Sequence, residues 1–242
     1  MAHFYLTDDA SHAVVGGTIT VTGSEARHAI TVGRLVVGER MRLGDGRGLI
    51  ASGTVAAVDG DAFELRVEST LFDDEPSPQL WLAQALAKGG RDELAVQAAT
   101  ELGVDGVIPW AASRSIVKWV GAKVSKHEQR WRSILREATK QSVRSRIPAL
   151  KPLATTADLA SLGNEFQVLV LDPTAQESLL SFATDGRDVL VVVGPEGGIA
   201  PAELTQLLAA GAVGVRIGSN VLRASTAGPA AIAVLNAMLG RW

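Results

Sequence analysis

Three stretches in the second half of the chain, "FQVLVLD" at 166–172, "DVLVVVG" at 188–194 and "AVGVRIG" at 212–218, are apolar at almost every position. A strand that alternates apolar and polar residues has one wet face, whereas a strand apolar throughout is buried on both and needs a layer above and below it. "LWLAQALA" at 80–87 and "GVIPW" at 106–110 read the same way. Helical patterns fall between these strands, from about Asp92 to Leu102, between roughly Lys123 and Arg144, after Pro201 and after Ser225. The alternation predicts an α/β domain whose parallel sheet is covered by helices on both faces.

The first seventy or so residues differ. "TITVTG", "ERMRLGD", "GLIASGTVAAV" and "AFELRVEST" are short strand patterns joined by turns such as Asp45-Gly46 and Asp59-Gly60, which suggests a small β-barrel. "SEARHAITVGR" interrupts them with a short helix for which Ser24 is the expected N-cap. The acidic, proline-containing "FDDEPSPQ" at 72–79 reads as a linker, giving domains at 1–73 and 79–242.

Composition excludes several chemistries. The chain has 242 residues and no cysteine, which removes disulfides, thiolate metal sites and cysteine nucleophiles. His3, His12, His28 and His127 are scattered, with no ligand spacing, so no metal is expected. No apolar run nears the roughly 20 residues of a membrane span, and "MAHFYLTDDA" lacks the features of a leader; a cytoplasmic protein without a membrane partner is expected. The net charge of −3 hides an asymmetry: residues 114–146 hold ten cations and two acids, +8, which leaves −11 for the rest. Such a run is either a solvated face or a surface for a polyanion. Arg132, Arg136, Lys140 and Arg144 recur at i, i+4, which on one helix aligns four like charges.

Three loops follow predicted strands and so should meet at the carboxyl edge of the sheet, where open α/β domains bind ligands: "LDPTA", "GPEGGIAPAEL" and "IGSNVLRASTAGPAA". Neither a phosphate-binding G-x-x-x-x-G-K-[ST] nor a helix-opening G-x-G-x-x-G is present, and no G-x-S-x-G. Gly194, Gly197 and Gly198 allow close backbone approach and Pro195 stiffens the turn, which suits a flat, hydrogen-bonding ligand such as adenine.

"VGPEGGIAPAEL" followed by "RIGSNVLRASTAGPAAIAVL" resembles the two C-terminal signatures of the SPOUT methyltransferases, specifically the RsmE family of 16S ribosomal RNA (uracil N3)-methyltransferases. "ALAKGGRDELAVQAATELGV", "SRS" at 113–115, "REATKQSVRSRIP" and "ARHAITVGRLVVGE" are similar to the same family's central and N-terminal motifs, so the resemblance spans nearly the whole chain. It implies a PUA-like barrel, a C-terminal domain with a deep trefoil knot, and a homodimer with its active site at the subunit interface. It also implies S-adenosylmethionine in the knotted loops, at Leu171, Gly194, Glu196, Gly198, Ile217, Gly218, Leu222, Thr226 and Ala227. The RNA contacts it implies are Lys88, Arg91, Arg114, Arg136, Lys140 and Arg144, with Arg34 in the small domain, facing 16S ribosomal RNA or the small subunit.

Methylation at carbon 5 of a pyrimidine commonly runs through a cysteine adduct; without cysteine, a nitrogen or a ribose oxygen is the compatible target. Arg223 is the candidate active-site cation, for a developing uridine anion or a phosphate, with a salt bridge as its other reading. Glu196 either orients ligand groups or takes a proton, or else stabilises the N-terminus of the next helix. Where the family commonly carries "LRTETA", this chain has "LRASTA", so Ser225 replaces an acid and the general base is left unassigned, with Glu101 and Glu137 the other acids near matched motifs. Two other readings remain open: a ribose 2′-O-methyltransferase on the same fold, and a non-catalytic RNA-binding assembly protein.

Overall fold

The computed structural model describes residues 3–242; Met1 and Ala2, which open the N-terminal stretch read above, lie outside the described residues. The chain divides into two compact units, residues 1–75 with 139–147, and residues 76–138 with 148–242.

The first unit contains β1 (His3–Leu6), β2 (Thr18–Val21), α1 (Gly23–Thr31), β3 (Arg40–Gly44), β4 (Leu49–Asp59) and β5 (Ala62–Phe72). Its sheet has the order β1-β3-β4-β5-β2, with β1 parallel to β3 and the other pairs antiparallel. Along β5, Phe63, Leu65 and Val67 turn inward while Glu64, Arg66 and Glu68 face water, the period of two expected of a half-buried strand. Two register shifts in the β4–β5 pair bend the long strands. All five strands and α1 contribute to one core that includes Tyr5, Val21, Ala29, Leu43, Val55 and Leu65. The N-cap of α1 is Thr22, and Ser24 lies one residue into the helix, because the chain turns helical immediately after β2. β1 (HFYL) is not among the strand patterns read from the sequence.

The second unit contains β6 (Leu80–Ala85), α2 (Arg91–Glu101), β7 (Gly106–Trp110), most of α3 (Lys123–Gln141), β8 (Ala149–Leu150), α4 (Thr156–Ser161), β9 (Phe166–Leu171), β10 (Glu177–Ser178), β11 (Asp188–Val193), α5 (Pro201–Ala209), β12 (Val213–Arg216) and α6 (Ala224–Met238). The sheet order is β10-β12-β9-β11-β6-β7-β8, and every pair is parallel. One face carries Trp81, Trp110, Phe166, Val168 and Leu190 against Leu159 of α4 and Leu207 of α5. The other face is covered by α2 and α6, which pack on β6 and on each other. Burial on both faces explains the continuous apolar runs of β9 and β11.

The sequence pattern carries α3 to Arg144, whereas the helix ends at Gln141. Val143 adopts φ 58, its amide donates to the Lys140 carbonyl, and the Arg144 amide donates to the Thr139 carbonyl. These two bonds with a left-handed residue form a Schellman ending, here on a β-branched residue instead of the usual glycine. Arg144 therefore leaves the helical row of Arg132, Arg136 and Lys140. Residues 139–147 belong to the first unit: Val143 and Ile147 pack on Phe4, Leu6 and Ile50, and the Arg146 guanidinium donates to the Asp73 carbonyl over 2.7 Å and 3.0 Å. Lys140 forms an ion pair with Glu25 at 3.1 Å, with 12% of its side chain exposed, and its ammonium lies 5.9 Å from the centre of the Tyr5 ring.

Candidate functional site

Because β9, β11 and β12 run parallel, their carboxyl ends share one edge of the sheet, and the loops leaving them converge. A cavity of about 490 Å³ opens there, a size suited to a nucleoside-scale ligand. All three loops read from the sequence contribute. Leu171 comes from the first, Gly194, Glu196 and Gly198 from the second, and Ile217, Gly218, Leu222 and Ala227 from the third with the start of α6; Arg223 lines the cavity beside them. Thr226 is the exception among the nine positions. It sits exposed in the first turn of α6, its amide donating to the Arg223 carbonyl over 2.8 Å, and does not line the cavity. Val193, Ile199, Leu204 and Val215 supply apolar wall, while Asp172, Asn220 and Arg91 add polar groups that the sequence reading did not place there.

Two glycines shape the second loop. Gly198 has φ 70, a conformation costly for any residue with a Cβ. At Gly194 a Cβ would lie 2.7 Å from the Ile199 side chain, so the loop closes tightly behind the last residue of β11.

Glu196 turns away from helix capping. Its Oε1 accepts from the Lys88 amide over 3.2 Å and from Arg91 Nη1 over 3.0 Å, so it fastens the loop after β6 to the loop after β11. Partial burial pulls its pKa up, but hydrogen bonds from its own amide, from Arg91 and from Lys88 outweigh that, and the carboxyl titrates below its ordinary value. A carboxylate held ionised in this way is a poor proton acceptor.

The capping role belongs to Glu203, which the sequence reading passed over. Its Oε2 accepts from the Ala200 amide at the start of α5 over 3.3 Å and from the Ser113 hydroxyl over 2.7 Å. Its Oε1 accepts from the Ser113 amide over 2.9 Å and from the Thr156 hydroxyl over 2.7 Å, and the same hydroxyl receives Trp110 Nε1 over 3.2 Å. Burial raises the Glu203 pKa, and these bonds lower it further than burial raises it. An acid at the third position of a helix that opens with Pro201 is a readable capping signal. Its partners 90 and 47 residues away are not.

The cations implied as RNA contacts fall into three groups. Lys88, Arg91 and Arg114 gather around the second loop: the Lys88 side chain is exposed, Arg91 is paired with Glu196, and Arg114 Nη1 donates to the Gly197 carbonyl over 3.0 Å. Arg136 is half-buried on α3, and Arg144 is half-buried beyond its end. In the first unit, Arg34 is exposed at φ 52 after α1, and Lys140 is engaged by Glu25. That ion pair leaves only 12% of the Lys140 side chain exposed. Of the acids near the matched motifs, Glu101 accepts from Gln97 over 3.1 Å and Glu137 is exposed on α3. Acids from other elements pair with cations of α3: Glu93 lies 3.1 Å from Arg130, and Glu25 lies 3.1 Å from Lys140.

Comparison with known proteins gives this arrangement its context. Residues 74–236 match the model of an RNA methyltransferase domain, and residues 21–68 that of an RNA methyltransferase PUA domain. The chain is 40% identical to the Ribosomal RNA small subunit methyltransferase E of Mycobacterium tuberculosis over 94% of this chain and 89% of that protein. Against the protein of the same name from Bacillus subtilis it is 30% identical, with 87% and 86% covered. The crystal structure of the Neisseria gonorrhoeae Ribosomal RNA small subunit methyltransferase E, bound to S-adenosyl methionine, superposes with a TM-score of 0.88 at 26% identity over 98% of both chains. With both units matched in order, and with the three-loop cavity at the carboxyl edge of the parallel sheet, the chain belongs to the ribosomal RNA small subunit methyltransferase E family of RNA methyltransferases.

Proposed function

We propose that this protein transfers a methyl group from S-adenosylmethionine to N3 of a uridine in the 16S ribosomal RNA of the small subunit, in the cytoplasm. The observation that carries the reading is the convergence of three family-matching loops on one cavity with mixed apolar and polar walls. Backbone groups of Gly194, Gly198 and Gly218 and side chains of Leu171, Ile217 and Leu222 hold the donor, which supplies an electrophilic methyl on a sulfonium. Arg223, exposed at the cavity edge, places a fixed positive charge where the uridine ring becomes anionic as its N3 proton leaves. Holding the two reactants in line accounts for much of the acceleration, since the step needs no covalent enzyme intermediate. Lys88, Arg91, Arg114, Arg136, Arg144 and Arg34 meet RNA phosphates in this reading; Lys140 does not.

The same reading includes a trefoil knot at the C-terminal crossover and a homodimer. What supports the first is the path from β12, out beyond β9, back to α6 packed on the central β6 and β11. What supports the second is apolar surface: Leu94 on α2, Met238 on α6 and Val221 in the third loop are 56%, 37% and 77% exposed, although α2 and α6 otherwise pack closely.

The decisive experiment is mass spectrometry of nucleosides from small-subunit RNA treated with the protein and S-adenosylmethionine. The expected product is 3-methyluridine. A 2′-O-methylated nucleoside would overturn the target atom, and absence of any methylation together with absence of donor binding would overturn the enzyme reading.

A further inference from the structure

Loop 194–198 is gripped from two sides by guanidinium groups. Arg91 Nη1 lies 3.0 Å from Glu196 Oε1, and Arg114 Nη1 lies 3.0 Å from the carbonyl oxygen of the next residue, Gly197. Arg91 opens α2 and Arg114 lies in the loop after β7, so both reach the loop from outside it, and both belong to the set assigned above to RNA phosphates. Gly194, Glu196 and Gly198 of the same loop line the cofactor cavity. The loop thus touches both the donor site and two RNA-directed cations, of which Arg91 also lines the cavity and Arg114 does not. Arg114 is further fixed through its neighbour Ser113, whose amide and hydroxyl both bind Glu203, just after the loop ends. Arg91 keeps 33% of its side chain exposed while paired, so a phosphate can still reach it.

We propose that loop 194–198 couples the two substrates, resting on the methyltransferase reading above: when the donor fills the cavity, the loop is fixed and presents Arg91 and Arg114 to the RNA, so donor and RNA bind cooperatively. Glu196 is then a positioning residue, neither a base nor a cap. The physical basis is ordering. A loop rich in glycine samples many conformations, and the ligand that first restricts it bears that entropy loss, so the second ligand binds more tightly. Linkage makes the effect reciprocal, each ligand raising the other's affinity by the same factor.

The test measures binding, without turnover. Fluorescently labelled small ribosomal subunits, prepared from cells lacking this activity, are titrated with protein in the absence and presence of saturating S-adenosylhomocysteine, the demethylated product. Typical couplings are 5–150-fold, and a tightening of about tenfold is expected here. Calorimetry should show the same factor for S-adenosylhomocysteine when subunits are present. In an Arg114→Ala variant, whose altered side chain is not part of the cavity lining, the tightening should be largely lost while S-adenosylhomocysteine binding to the free protein stays within about threefold of the original, well under one tenfold step. Glu196→Gln, which keeps an acceptor and loses the charge, should reduce the coupling with little change in fold. The proposal is overturned if the unaltered protein binds S-adenosylhomocysteine with no effect on subunit affinity, or if the full coupling survives in both variants. Failure of the unaltered protein to bind S-adenosylhomocysteine at all would overturn the methyltransferase reading itself.

Discussion

Glu203 accepts four hydrogen bonds while only 8% of its surface meets solvent. Glu203→Gln turns one oxygen into a donor that faces other donors, so it should lower the free energy of unfolding at neutral pH by about 2–3 kcal/mol, the range for losing hydrogen bonds to a buried charged group. The pH dependence has a definite sign. The folded-state pKa is depressed, so the stabilisation is present above the ordinary glutamate value and is lost as pH falls through the folded one. Chemical denaturation across pH should therefore show the gap between the two proteins closing on acidification; a gap independent of pH would rule out the ionised carboxylate as its source. At this scale the sequence told residue types well and partners poorly. Glu196 stood out because an acid among glycines is unusual, yet its bonds to Lys88 and Arg91 bridge more than a hundred positions. Thr226 matched the family motif by position, but the start of α6 turns its side chain outward.

α3 illustrates what a helix's period does and does not settle. Trp131, Leu135 and Ala138 are buried at the spacing of one stripe, and Arg132 is exposed on another. Leu135→Ala should destabilise the protein by about 3 kcal/mol, as expected for truncating a fully buried leucine. Arg132→Ala should leave the melting temperature unchanged, weaken binding to small subunits, and reduce the slope of log affinity against log salt by about one if Arg132 meets a phosphate. Equal thermal shifts in the two variants would refute the division of faces. The period was legible because burial is a property of the helix surface. The C-terminus was not, since neither glycine nor proline marks it and Val143 is held left-handed by packing on Phe4, Leu6 and Ile50. The same packing took Arg144 out of the cationic row, and Glu25 pairs with Lys140.

For the whole molecule, the proposed homodimer has a direct consequence. Leu94→Glu places a charge on the exposed apolar surface of α2 while sparing the core, so sedimentation should show a shift from dimer to monomer, with methylation lost alongside it. A monomeric unaltered protein would refute the dimer. The sequence by itself determined the class of each half: residues that alternate in and out make the sheet of the first unit, and residues apolar throughout make the buried parallel sheet of the second. It also determined that three loops would meet, because parallel strands place all their carboxyl ends on one edge. Only the tertiary structure decided which groups those loops exchange. Arg91 reaching Glu196, Arg114 reaching Gly197 and Ser113 reaching Glu203 depend on the order of strands across the sheet and the exact closure of the chain around it. Periodicity reports how each segment meets water, and carries no record of which distant segment it meets instead.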